Sequence, residues 1–283
     1  MDLMDRARAK GLTTIVGLLA AATLMTCVGF QGRAQQPAKT TRSKIIPAKS
    51  AAGNSSNLPG NDIQKLLAAA QVALDQGRFE EAIRTYNRII TLSVNQPRTA
   101  SLANLKIGNA YMTQRKFENA AIAFQRAVTL NPSDADSYNI LGEALGELKQ
   151  YSRALESFSK AVALDPKLLK ARYNQAVTYD RMGNFRYSEF VFRNLIKSNP
   201  QYSLSYDGLA VTLSKAGRAK ESIAFHEKAI ALEPGDPSYY YNFAISYLML
   251  GNTAKALEQQ QKLKAIDPAI AERLASVIVK HQM

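Results

Sequence analysis

The sequence predicts an all-α protein built from repeated helix–turn–helix units, and three observations lead to this prediction. Prolines recur at a constant interval, apolar residues between them follow a helical spacing, and small residues return at fixed positions. The prolines of the series are Pro132, Pro166, Pro200, Pro234 and Pro268. A fixed repeat length between about 20 and 50 residues is typical of architectures in which each unit buries its apolar face only by stacking on its neighbours.

Each repeat is predicted to contain two helices and a stop, as the block that ends at Pro166 illustrates. Its first half places apolar and small residues at i, i+3, i+4 and i+7, which is one face of an amphipathic helix. A polar break at residues 149–151 separates it from a second such face, and proline then ends the helix because it lacks an N–H. The two faces are Tyr138, Leu141, Gly142 and Leu145, followed by Ala154, Phe158, Ala161 and Val162.

Two columns of small residues predict close packing of the two helices within each repeat. A small residue that faces a large one lets two helices approach, and Tyr or Phe from a neighbouring column fills the remaining gap. Glycine in several inter-helix turns also predicts a left-handed C-cap there. The columns are Gly108, Gly142, Ala176, Ala210 and Ala244, and Ala120, Ala154, Ser188, Ser222 and Ala256.

This pattern resembles the tetratricopeptide repeat (TPR), and the resemblance covers residues 63 to about 270 as six repeats. It implies a right-handed α-α superhelix, a TPR solenoid, whose first helices line a concave groove that binds peptide or protein segments. The chain departs from the family by having no tryptophan, and by having His226 and Gln260 where the second helix usually carries Tyr or Phe. We expect looser helix packing at these two positions, and we interpret His226 as a packing or surface substitute rather than a catalytic base.

The predicted organisation has four parts. Residues 1–34 form a signal peptide or membrane anchor, 35–60 a flexible basic linker, 61–270 the repeats, and 269–283 a C-terminal capping helix with Ile270, Leu274, Val277 and Ile278 on its apolar face. The repeats are assigned to residues 63–100, 101–134, 135–168, 169–202, 203–236 and 237–270.

The N-terminus allows three interpretations. No charge occurs between Lys10 and Arg33, which fits a secretory signal cleaved after Ala34. The same run is about 20 residues long, as an uncleaved anchor requires, although the basic residues after it disfavour that orientation. A sequence similar to a bacterial lipobox makes Cys27 a candidate for lipidation. All three place the remainder outside the cytoplasm, and we expect a periplasmic or membrane-anchored location.

Composition and motif content argue against catalysis and against a dedicated nucleic-acid surface. Residues 1–60 carry eight Lys/Arg and two Asp/Glu, so the rest of the chain holds only +7 of the net charge of +13. One cysteine and two histidines are a poor inventory for zinc sites or histidine triads. No phosphate-binding glycine loop, GxSxG or HExxH motif occurs. We therefore expect no enzyme activity, no metal and no cofactor.

The groove that the resemblance implies gives the candidate binding residues. The pairs Tyr173-Asn174 and Tyr241-Asn242 occupy equivalent positions, and asparagines there often hydrogen-bond a peptide backbone in this family. The candidate site is Asn109, Lys170, Tyr173, Asn174, Val177, Arg181, Tyr241, Asn242 and Ile245. The same face also carries Gln71, Asp75, Leu105, Lys106, Met112, Asn139, Glu143, Glu147, Asp180, Asp207, Val211, Lys215 and Leu248.

The sequence thus predicts a non-catalytic adaptor or scaffold that binds protein or peptide partners, and an uncleaved or lipidated N-terminus would attach it to a membrane. The alternative is a binder of an envelope polymer, such as peptidoglycan or polysaccharide, or of nucleic acid through basic surfaces. The mild charge of the repeats disfavours nucleic acid.

Overall fold

The computed structural model describes residues 59–282, and all regular elements in this range are α-helices. This confirms the predicted all-α class. The described residues divide into two compact units, 59–168 and 169–282. The predicted signal or anchor, most of the linker and the candidate lipidation site Cys27 lie outside the described residues.

The N-terminal unit consists of three helical hairpins. Their helices are α1 (Pro59–Asp75), α2 (Phe79–Leu92), α3 (Pro97–Thr113), α4 (Phe117–Leu130), α5 (Ala135–Glu147) and α6 (Tyr151–Leu164). Consecutive helices pack against each other, and their buried residues form two apolar clusters.

The C-terminal unit contains three further hairpins and a last helix. Its helices are α7 (Leu169–Arg181), α8 (Phe185–Ser198), α9 (Ser203–Lys215), α10 (Ala219–Leu232), α11 (Pro237–Met249), α12 (Thr253–Ile266) and α13 (Pro268–Gln282). The first helices α7, α9 and α11 also contact one another in sequence order.

The first helix of every hairpin ends in the same way. One residue adopts a left-handed conformation, and the N–H of the next residue bonds to a carbonyl five residues earlier, as Asn184 does to Tyr179 at 2.9 Å. This is the Schellman arrangement, which satisfies carbonyls at a helix end. Four of these residues are the predicted turn glycines Gly77, Gly183, Gly217 and Gly251, with φ between 71° and 80°.

Small residues permit the predicted close approach of the two helices. A Cβ added to Gly108 would lie 2.3 Å from the Phe124 ring, and one added to Gly142 would lie 2.5 Å from the Phe158 ring. Both rings are buried. The repeats therefore pack an aromatic ring against bare backbone, which only glycine allows.

The helix α13 covers the end of the C-terminal unit. Leu274, Val277 and Ile278 of its predicted apolar face are buried, and Ile270 is partly buried. They form one cluster with α11 and α12, and this cluster includes Tyr241 and Ile245. The predicted capping helix is therefore present, and it covers apolar surface that α11 and α12 cannot bury alone.

Candidate functional site

A pocket on the first helices of the C-terminal unit gathers many of the residues that the groove prediction names. It lies among α7, α9 and α11, with one contribution from α8. Its cavity volume is about 10 Å³, and it is lined by Tyr173, Val177, Asp180, Phe192, Asp207, Gly208, Val211, Thr212 and Asn242. Tyr173 and Asp207 occupy the same repeat position, as do Val177 and Val211, because the members of each pair are one repeat period apart.

The walls of the pocket are apolar and aromatic. The ring of Tyr173 meets those of Phe192 and Tyr202 edge to face, with centroid distances of 5.7 and 6.3 Å. A Cβ at Gly208 would lie 2.4 Å from the Phe192 ring, so a glycine is needed for this ring position. Gly208 occupies the column that holds Asn174 and Asn242 in the neighbouring repeats. The room that this glycine leaves is taken by the Phe192 ring.

One carboxylate of the pocket belongs to a buried ion pair. Asp180 on α7 pairs through Oδ2 with the ammonium of Lys215 on α9, and both side chains are almost fully buried. The other oxygen, Oδ1, is also buried and finds no hydrogen-bond partner among residues 59–282. A buried oxygen without a donor costs about 1–3 kcal/mol, so such a group is explained by strain, by a bound water or by a ligand that supplies the donor.

The second carboxylate of the pocket lies in a buried polar network that joins α9, α10 and α11. Asp207 Oδ1 is 3.0 Å from His226 Nδ1, and Oδ2 accepts a 2.8 Å hydrogen bond from the Asn242 amide. The other ring nitrogen of the histidine is 2.9 Å from Ser246 Oγ. Burial raises the pKa of Asp207 above its ordinary value, although the hydrogen bonds from His226 and Asn242 act in the opposite direction.

The order Asp207, His226, Ser246 resembles a catalytic triad in its distances, but its surroundings do not suit catalysis. Ser246 is fully buried, and its hydroxyl lies 2.8 Å from that of Ser214. A nucleophile must reach its substrate, and this hydroxyl is enclosed by helices. The histidine ring also stacks on Phe243, with centroids 5.2 Å apart. The network therefore ties helices together.

This network corrects one expectation about the last repeats. Looser packing was expected where His226 replaces the usual aromatic residue, but its side chain is fully buried and uses both ring nitrogens. Gln260, the second such substitution, is half-buried and donates to the carbonyl of Ala271 at 3.3 Å. Polar side chains thus replace aromatic packing by hydrogen bonds between helices.

The structure brings some of the predicted groove residues together and separates others. Tyr173, Val177 and Asn242 line the pocket, and Asn174 is buried on the same helix as the first two. Tyr241 and Ile245 lie in the cluster that α13 covers. Lys170 and Arg181 are half-buried on α7, and Asn109 is exposed on α3 in the N-terminal unit.

Several residues that shape the pocket lie outside the predicted candidate site. Three of them lie on the wider predicted face, namely Asp180, Asp207 and Val211. Three others lie outside that face as well, namely Phe192, Gly208 and Thr212. A sequence signal did exist for Gly208, because it replaces an asparagine that both neighbouring repeats carry. Phe192 comes from a second helix, so a prediction restricted to first helices could not include it.

The polar side chains on the corresponding face of the N-terminal unit include two pairs that hydrogen-bond to each other. Lys106 donates to Gln71 Oε1 at 3.1 Å, and the amide of Asn139 donates to Glu143 Oε1 at 2.9 Å. Across residues 59–282, no three His, Cys, Asp or Glu side chains are grouped as a metal site would require. No helix in this part of the chain is long and apolar enough to span a bilayer.

Comparison with known proteins identifies the repeats. Four family models, each described as tetratricopeptide repeat, match residues 66–93, 105–168, 204–232 and 227–258. Together they cover slightly more than half of the chain. The chain belongs to the tetratricopeptide repeat family. A solved TPR protein from Parabacteroides merdae has the same fold, with a TM-score of 0.68, 20% identity, and coverage of 79% of this chain and 88% of that one.

Curated relatives carry similar TPR segments within much longer chains. Anaphase-promoting complex subunit 3 of Schizosaccharomyces pombe is 24% identical over 162 residues, which are 57% of this chain and 24% of that protein. The peroxisomal targeting signal receptor of Kluyveromyces lactis is 25% identical over 109 residues, 38% of this chain and 19% of that one. This TPR chain thus spans about a quarter or less of either relative's length.

Proposed function

We propose that this TPR protein is a non-catalytic adaptor that binds a protein or peptide segment at the pocket of its C-terminal unit. The observation that carries the proposal is the pocket itself, which lies among three successive first helices. Its lining combines apolar walls with two carboxylates. Binding sites commonly combine apolar walls with a few placed polar groups that fix orientation. By their names, the relatives are a complex subunit and a targeting-signal receptor, which agrees with such a role.

We further propose that the adaptor acts in the bacterial cell envelope, either periplasmic or held at a membrane by its N-terminus. This part rests on the sequence of residues 1–34, where an uncharged apolar run follows a weakly basic start. The mass of the native N-terminus in an envelope fraction distinguishes cleavage after Ala34 from a lipid on Cys27 and from an intact anchor. An unprocessed chain in the cytoplasmic fraction would contradict this location.

The binding proposal is tested by affinity capture from an envelope extract with the full chain and its Tyr173→Ala variant. Tyr173 supplies a wall of the pocket, and large aromatic side chains often dominate interface energies. We expect the variant to recover about tenfold less partner, which corresponds to about 1.4 kcal/mol of binding free energy.

Tyr187→Ala is the matched control. It removes the same type of side chain from α8, where Tyr187 is 59% exposed and stacks on Tyr179 outside the pocket. Circular dichroism of both variants verifies that the helices remain intact. Undiminished recovery with a folded Tyr173→Ala variant would show that the partner binds elsewhere.

A further inference from the structure

One residue of the pocket lining, Asp180, has a carboxylate oxygen that the described residues leave without a hydrogen bond. Asp180 is 4% exposed, and its Oδ1 has no hydrogen-bond partner among the described residues, whereas its Oδ2 pairs with Lys215. Burial of such an oxygen is unfavourable unless a donor reaches it. The site therefore favours a ligand that brings a hydrogen-bond donor, and a positively charged donor most of all.

The charges at the pocket point in the same direction. Its lining contains two carboxylates, Asp180 and Asp207, and no basic side chain. Lys215 and His226 contact these carboxylates from behind the lining. A cation that entered the pocket would meet carboxylate oxygens in an environment of low dielectric constant, where electrostatic attraction is strong.

The shape of the pocket restricts the kind of cation. Tyr173, Val177, Phe192 and Val211 form its apolar walls, and its volume of about 10 Å³ holds a group no larger than a water molecule. A lysine side chain has a slender apolar stem and a compact ammonium with three donors. The guanidinium of arginine is planar and broader, so it fits such a pocket poorly.

We propose that the pocket is a lysine-recognition site, which accepts only the terminal ammonium of a lysine in an extended partner segment and pairs it with Asp180 Oδ1. This inference rests on the proposed adaptor function and names the specificity of that same site. The stem of the lysine stays outside this small space, against Val177 and Val211. Binding satisfies the buried oxygen, which explains why the fold tolerates it.

The proposal is tested with acetyl-Gly-Gly-Lys-Gly-Gly-amide and three peptides in which arginine, norleucine or Nε-acetyl-lysine replaces the lysine. Titration into the full chain is followed by NMR of the methyl groups of Val177 and Val211. We expect the lysine peptide to shift both methyl pairs saturably, with an affinity about tenfold or more above each of the other three. Pentaglycine with a free amino group distinguishes a lysine site from a site for chain N-termini.

Two variants connect the binding to the carboxylate. Asp180→Asn removes the negative charge, and we expect the preference for lysine over norleucine to disappear. Because this change also removes the carboxylate that pairs with Lys215, the double variant Asp180→Asn with Lys215→Met tests the same loss in a form without that buried ammonium. Glu227→Gln, an exposed acid on α10 outside the pocket, is the matched control and should keep the preference.

Three results would overturn the lysine site: equal binding of lysine and norleucine peptides, stronger binding of pentaglycine, or no methyl shift with any peptide. None of them decides the adaptor function, because loss of partner capture by Tyr173→Ala is measured separately. An intact lysine preference in both Asp180 variants would also contradict the assignment of this carboxylate.

Discussion

Two residues adopt a backbone conformation that glycine holds elsewhere in the chain. Arg115 and Lys149 have φ values of 57° and 59°, and they occupy the turn position that is glycine in the other four hairpins. For a residue with a Cβ, the left-handed region costs about 1–2 kcal/mol relative to helical backbone. The Schellman hydrogen bonds nevertheless form, with Gln150 N–H bonding to Leu145 O at 2.9 Å. The fold therefore imposes a left-handed backbone conformation that these two residues adopt only at a cost in free energy.

Substitution of glycine at one of these positions should therefore stabilise the protein. For Lys149→Gly we expect about 0.5–1 kcal/mol in the free energy of unfolding, because relief of the strain exceeds the added entropy of the unfolded chain. Urea denaturation followed by circular dichroism measures this difference. Lys149 is exposed, so loss of its side chain should matter little, and Lys149→Ala serves as the control.

The reverse substitution gives a complementary measurement. In Gly183→Ala, the new Cβ has open space around it, but the alanine must adopt a φ of 74°. We therefore expect the free energy of unfolding to fall by about 1 kcal/mol. If Lys149→Gly instead destabilised the protein, the left-handed turn in that repeat would not be the strained element that its φ indicates.

Three phenylalanine rings of second helices each lie against a glycine of a first helix. Phe124 and Phe158 lie against glycines of their own repeat, Gly108 and Gly142. Phe192 lies against Gly208 of the following repeat, and its own repeat has an alanine at the column position. Each of these rings therefore lies where a glycine leaves room for it. In the C-terminal unit, Phe192 also forms a wall of the pocket.

Gly142→Ala tests this packing. Alanine is the better helix former by about 1 kcal/mol, but its Cβ would lie 2.5 Å from the Phe158 ring. Overpacking of this kind typically costs about 1–3 kcal/mol, so we expect net destabilisation in thermal or urea unfolding. Gly235→Ala is the control, because that glycine is exposed and a Cβ there meets nothing within 4 Å.

A double variant identifies the cause of the effect. Replacement of Phe158 by leucine should itself destabilise the repeat, but it removes the ring that the new methyl group meets. The two changes should therefore be less harmful together than the sum of their separate effects. Strict additivity would mean that Gly142 is required for a reason other than the Phe158 ring.

At the scale of the whole chain, the fold could be predicted because the residues that define each repeat recur periodically in the sequence. Proline stops, small columns and turn glycines recur with the same period, and each fixes a local feature such as the left-handed cap at Gly183. The face that carries the pocket followed from the same register. Val177 and Val211 were assigned to it because equivalent positions of stacked first helices lie beside each other.

The polar contacts of the pocket could not be predicted in the same way. The pairing of Asp180 with Lys215 and of Asn242 with Asp207 joins residues of successive repeats, and it depends on which way each side chain turns. Asn242 was predicted to hydrogen-bond a peptide, whereas in the structure its amide donates to a buried carboxylate. Periodicity gives the face on which a residue lies, but the partner of each polar atom depends on interactions that do not repeat.

The distribution of charge over the whole chain favours an adaptor over a binder of anionic polymers. The net charge is +13, but residues 1–60 contribute +6 of it, since they hold eight basic and two acidic residues. A protein that neutralises six to ten phosphates loses about 10³–10⁵ in affinity between 50 and 200 mM salt. The proposed pocket offers apolar walls and a buried carboxylate, whose interactions salt screens only weakly.

We therefore expect recovery of the captured partner to fall by less than about fivefold between 50 and 200 mM NaCl, because a single shielded ion pair contributes little salt dependence. Quantitative pull-down at several salt concentrations measures this slope, with Tyr173→Ala as the reference for pocket-dependent recovery. Simultaneous neutralisation of Arg33, Lys39, Arg42 and Lys44 tests the basic N-terminal segment and should leave recovery unchanged. A steep slope that this neutralisation abolishes would instead assign binding to an anionic polymer held by residues 1–60, because basic side chains that contact a polyanion determine its salt dependence.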